Sequence, residues 1–151
     1  MTNSKKTWLV WALVVYVIFV FGQSLFFKFT GSEQTEIIFS TIATWLGSIG
    51  LGIIAPAFEQ FGGVVTGSVE LIACILLIFP ATRRLGALVG ITVISGAIFF
   101  HLFTPLGVDR VIDEAGNTDG GVLFFMACGV WLSCFVIMIL AKKKRIRSAY
   151  R

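Results

Sequence analysis

Charge is the first thing this sequence lacks: Asp, Glu, Lys and Arg make up 13% of its 151 residues, while 57% are hydrophobic. Soluble domains carry roughly 25% charged and 45–50% apolar residues, so a chain embedded in lipid is the economical reading. Histidine occurs once and cysteine three times, with no Cys-x-x-Cys pair and no Cys/His cluster, so no metal site is expected. Glycine-rich phosphate loops and nucleophile–base spacings are also absent, and no catalytic residue is assigned. Cys74, Cys128 and Cys134 lie scattered in apolar runs. Cys128 and Cys134 are six apart, on different faces of a helix, and all three read as small buried hydrophobes.

What the sequence has in quantity is long apolar runs. Crossing the roughly 30 Å hydrocarbon core takes about 20 predominantly apolar residues as a helix. Four runs meet this requirement, giving an all-α membrane protein with spans at about 8–29, 57–79, 85–103 and 121–141. Lys5 and Lys6 before the first run suggest a signal peptide, but no small-residue cleavage pattern follows Phe21-Gly22-Gln23. The first run is therefore read as a retained helix.

Basic residues orient these spans, because cytoplasmic loops keep an excess of Lys and Arg. Lys5, Lys6, Arg83, Arg84 and the six basic residues of a tail at 142–151 all fall on one side, ten of the twelve. Both ends of the chain are thus expected in the cytoplasm. Lys28 and Arg110 are the exceptions, on an outer side otherwise rich in Asp and Glu. The run Lys142-Lys143-Lys144-Arg145 directly follows a span, so it reads as a topology signal with affinity for anionic lipid and not as a nucleic-acid site.

Residues 37–58 are apolar enough to imitate a fifth span. Glu36 and Glu59 bracket them, glycines 47, 50 and 52 and Pro56 interrupt their second half, and a fifth crossing would break the charge rule. An interfacial or re-entrant segment at 35–55 fits better, its apolar stripe being Ile38, Ile42, Trp45 and Ile49. Such a segment folds over the outer mouth of the bundle, since hydrocarbon leaves irregular backbone unsatisfied. Pro56 suits the first turn of the second span. Residues 104–120, acidic and rich in turn formers, read as a solvated loop.

Polar side chains within the spans are costly and tend to face the bundle interior. Gln23 and Lys28 late in the first span, Glu70 near the middle of the second and His101 late in the third are therefore expected to converge toward the outer side. Phe26, Phe27, Trp45, Phe99 and Phe100 are the expected walls. The same cluster reads equally well as a hydrogen-bonded strut that fixes packing and as a pocket that takes a ligand.

The sequence resembles the DoxX-like family of small four-helix membrane proteins. The likeness rests on Phe27-Lys28-Phe29-Thr30-Gly31, Gly67-Ser68-Val69-Glu70-Leu71, Pro80-Ala81-Thr82-Arg83-Arg84-Leu85-Gly86-Ala87 and Gly96-Ala97-Ile98-Phe99-Phe100-His101-Leu102. It implies a bacterial inner-membrane location and an association with membrane or periplasmic redox enzymes, including quinone-linked oxidoreductases. Fold alone does not choose among such roles. The leading expectation is a bundle that binds a quinone or another apolar, lipid-like molecule through Gln23, Lys28, Glu70 and His101. The alternative is a non-catalytic partner or assembly factor that docks a redox protein through the acidic loop at 109–119. Four helices without an inverted repeat make a transporter the weakest of the three readings.

Overall fold

The computed structural model describes residues 3–141. Five helices follow one another: α1 (Asn3–Phe29), α2 (Glu33–Ser48), α3 (Ala55–Ile78), α4 (Arg83–Phe103) and α5 (Val122–Leu140). All but α2 are long and apolar enough to cross a membrane. Even α5, with 19 residues, reaches about 28 Å at the helical rise. The chain is thus a multi-pass membrane protein built as a helical bundle, with α2 lying between the first two spans. The span ends fall within two residues of expectation, except that α1 starts five residues earlier. The basic tail at 142–151 lies outside the described residues.

The spans close a ring in which α1 packs on α3 and α5, α3 on α4, and α4 on α5. Its interior is filled by Val14, Val17, Phe21, Leu77, Ala87, Val130, Cys134 and Ile137. Outside, Trp8, Val15, Phe19, Phe125, Leu132 and Ile139 are each more than half exposed. So broad an apolar surface suits contact with lipid chains and not with water. Where α3 turns into α4 the backbones nearly touch. A Cβ built on Gly86 would stand 2.7 Å from the Leu77 backbone nitrogen.

Arg83, expected only as a marker of topology, is buried at that turn with 5% of its surface exposed. Its Nε donates to the Leu77 carbonyl at 2.9 Å and its Nη2 to the Ile78 carbonyl at 3.2 Å. The guanidinium lies 4.2 Å from the centre of the Trp11 ring. Arg83 thereby satisfies carbonyls that the end of α3 leaves without helical partners, and it fastens the turn to α1.

α2 starts with Ser32 as its N-cap, whose hydroxyl accepts from the Thr35 amide, and has Glu33 and Glu36 at its positive end. Gly50, with φ +88°, follows its last turn, and Pro56 opens α3 as expected. The buried face of α2 differs from the expected stripe: it consists of Phe39, Ile42, Ala43 and Leu46, whereas Ile49 is exposed. The cause lies in α3, where Gly62 and Gly63 leave a recess that the Phe39 ring fills, and the helix rotates to seat it. Thr35 meets Gly63, Phe39 meets Phe58, and Ala55 packs against the cluster of Ile42 and Leu46. The contacts therefore run antiparallel along the first half of α3. In this position α2 roofs the end of the ring where α1 stops.

Candidate functional site

Below that roof is a cavity of about 200 Å³, bordered by all four spans, by α2 and by the loop between α4 and α5. Its walls are mostly apolar and include Val20, Phe21, Phe27, Ile38, Phe58 and Phe100. Against them stand Lys28, Glu70, His101, Gln34, Thr35 and Arg110.

On α1 the cavity face is Val20, Phe21, Ser24, Phe27 and Lys28, at the spacing of one side of a helix. Lys28 Nζ donates to Glu70 Oε1 at 2.6 Å, with 16% and 6% of the two side chains exposed. The two groups are close enough for a strong charge-assisted bond, and the geometry holds Lys28 inward instead of snorkelling to the interface. The second Glu70 oxygen, Oε2, is buried without any partner. Thr66, one turn earlier on α3, is already bonded to the Gly62 and Gly63 carbonyls and does not relieve it.

His101, 4% exposed, places Nδ1 at 2.6 Å from the Gly107 carbonyl oxygen. A carbonyl only accepts, so Nδ1 carries the hydrogen and Nε2 of the neutral ring is left as an acceptor. The Phe124 ring meets the imidazole edge-on at 5.8 Å.

The loop before α5 is more built than its composition suggests. Leu106 and Arg110 are buried at 7% and 5% exposure, which corrects the expectation of a merely solvated connection. Its acids explain the difference by holding the loop together. Asp109 accepts from Thr118 and from the Gly120 amide, Asp113 accepts twice from Asn117, and Asp119 accepts from the Gly121 and Leu123 amides. The bonds from Asn117 hold the Asp113 carboxyl below the usual carboxylate range. Arg110 Nε lies 3.1 Å from Asp119 Oδ2, and its Nη2 donates to Gln34 Oε1 on α2 at 3.3 Å. Burial pulls the Arg110 guanidinium below its ordinary value and Asp119 opposes that pull. Its Nη1 is buried with no partner.

Of the expected site residues, the structure brings Lys28, Glu70, His101, Phe27 and Phe100 to this one cavity. Gln23 is not among them: it is exposed on the lipid side of α1, because one residue of helical rotation separates it from Ser24. Trp45 stands behind the wall, 6.4 Å from the Phe100 ring, and borders a shallow surface groove instead. Phe26 and Phe99 are exposed at 64% and 45% and are not walls. Arg110, Gln34 and Asp119 were missed. For Arg110 the signal was present, as the single basic residue of the acidic loop between the last two spans.

No group of three His, Cys, Asp or Glu side chains among the described residues could hold a metal ion. Comparison with protein-family models, with curated proteins and with solved structures finds no match to this chain.

Proposed function

We propose that the cavity binds one small, neutral, ring-bearing molecule of quinone type, and that the protein serves membrane redox chemistry as its carrier or accessory. The reading rests on one observation: two side chains that line an apolar space, Glu70 and Arg110, carry an acceptor, Oε2, and a donor, Nη1, that are buried and unpartnered. Unmet polar atoms in a low-dielectric setting cost about 1–3 kcal/mol each, which a complementary ligand recovers. A quinol hydroxyl suits Glu70 and a ring carbonyl suits Arg110. The fixed charges bordering the cavity are paired, Lys28 with Glu70 and Arg110 with Asp119, so nothing there calls for a charged guest.

Size narrows the class. A dry cavity of about 150 Å³ accommodates benzene, so about 200 Å³ takes one substituted ring and leaves any long tail outside. The Nε2 acceptor of His101 gives such a ring a proton partner within the same cavity. The resemblance to DoxX-like proteins supports the redox setting and a bacterial inner membrane, and the placement of the basic residues supports cytoplasmic location of both ends of the chain.

Protein purified in mild detergent should yield a quinone-type species on solvent extraction and mass spectrometry, at up to one molecule per chain. Reproducible recovery of bulk phospholipid alone would count against the proposal. Ala97 borders the cavity, and Ala97→Leu fills part of it. That variant is expected to lose most of the bound molecule while its helical spectrum stays that of the parent. Retention of the full complement would place the ligand elsewhere.

A further inference from the structure

Gln23 is a polar group deep in the spans that the cavity leaves unexplained. Its carboxamide is exposed on α1 and forms no hydrogen bond within the described chain. It is also deep: neighbouring Leu25 packs at Gly67, three residues from Glu70. Gln23 therefore lies near the depth of the buried ion pair, about 9 Å short of the end of α1 at helical rise. An amide facing hydrocarbon without a partner is expensive. Gln60 on α3 is exposed and unbonded too, but it stands ten residues from Glu70, about 15 Å nearer the roofed end of the bundle. Exposed polar side chains deeper in the spans avoid this cost. Ser68 bonds the Val64 carbonyl, Thr92 the Leu88 carbonyl, and Ser95 accepts from Trp131.

The surroundings of Gln23 have the form of a contact surface. Val15, Phe19 and Phe26 project on the same side, 62%, 64% and 64% exposed. Between the two phenylalanines, nothing lies within 4 Å of the place a Cβ on Gly22 would take, which leaves an open notch. We propose that two copies of this chain pair through this face of α1, about a two-fold axis along the membrane normal. The Gln23 carboxamides exchange reciprocal N–H to C=O bonds, and a phenylalanine of each copy seats beside Gly22 of the other.

A second copy is the occupant because a carboxamide both donates and accepts, so it is complementary to its own image. Two chains inserted in the same direction bring the same surface of α1 face to face, as a two-fold contact requires. Glycine at the crossing lets the helices approach closely. The cavity lies on the other side of α1, through Ser24, Phe27 and Lys28, so pairing and ligand binding are separable.

The test is photobleaching step counting of singly labelled protein in phosphatidylcholine vesicles over a range of protein-to-lipid ratios. Wild type is expected to show dimers. Gln23→Leu should weaken dimerisation about tenfold, Gln23→Asn should retain most of it, and Leu132→Gln on exposed α5 should not weaken it. A matching helical spectrum for each variant keeps folding apart from association. Monomers at every ratio, or dimers indifferent to Gln23→Leu, would overturn the proposal. Dimers in which Leu132→Gln weakens pairing as much would overturn it too. So would a monomer from which Gln23→Leu releases a different membrane protein.

Discussion

Replacing Glu70 with leucine is expected to destabilise the protein by about 3–5 kcal/mol, because it strands the Lys28 ammonium in an apolar interior. The 2.6 Å pair is nearly sealed from solvent, and no second carboxylate is hydrogen-bonded to Lys28 among the described residues. Lys28→Leu is expected to cost a similar amount by stranding the carboxylate. The double substitution Lys28→Leu with Glu70→Leu should recover most of the loss, since apolar replacement of a whole buried pair is often neutral or stabilising. Thermal or denaturant unfolding in detergent reads these differences. Equal loss in the double variant and in the single ones would show that something other than the uncompensated charge is at work. The double variant also separates the two readings of the cluster. Folded but empty of ligand, it marks the pair as part of a binding site; folded and still loaded, it marks the pair as a strut.

The second large effect is expected at Gly86. A methyl group there would lie 2.7 Å from the Leu77 nitrogen and 2.9 Å from the Leu76 carbonyl carbon, both backbone atoms that no rotamer change can move away. α3 and α4 must then separate and disturb the Arg83 bonds at the same turn. Gly86→Ala should therefore cost about 3 kcal/mol, at the upper end of overpacking penalties. Gly96→Ala is the matched control, because nothing lies within 4 Å of its added carbon. Indistinguishable melting of the two variants would refute the close backbone approach.

The spans were legible because a membrane imposes a length and a composition that composition alone can reveal. Lys28 and Arg110 show how much more the sequence held. They are the two basic residues on the acidic side, and each enters an ion pair beside the cavity, half-buried Lys28 with Glu70 and buried Arg110 with Asp119. Arg110 was not expected at the cavity because its partner is brought to it by the folded loop, a non-local event that turn composition does not reveal.

Other placements were illegible for reasons of rotation. Gln23 and Ser24 differ by one helical step, yet one faces lipid and the other the cavity. An isolated polar residue does not fix the phase of an otherwise uniformly apolar helix. On α2, the expected stripe through Trp45 and Ile49 was rotated toward Phe39 by two glycines more than twenty residues further on. Periodicity within a segment holds no record of where its partner offers space.

The central claim is that the space between Glu70 and Arg110 holds a small neutral ring, and density in an experimental map of protein isolated from its native membrane tests it most directly. The account requires a compact ring-shaped feature within hydrogen-bonding distance of Glu70 Oε2, of Arg110 Nη1, or of both. A cavity holding only ordered water, or side chains collapsed into it, would contradict the account.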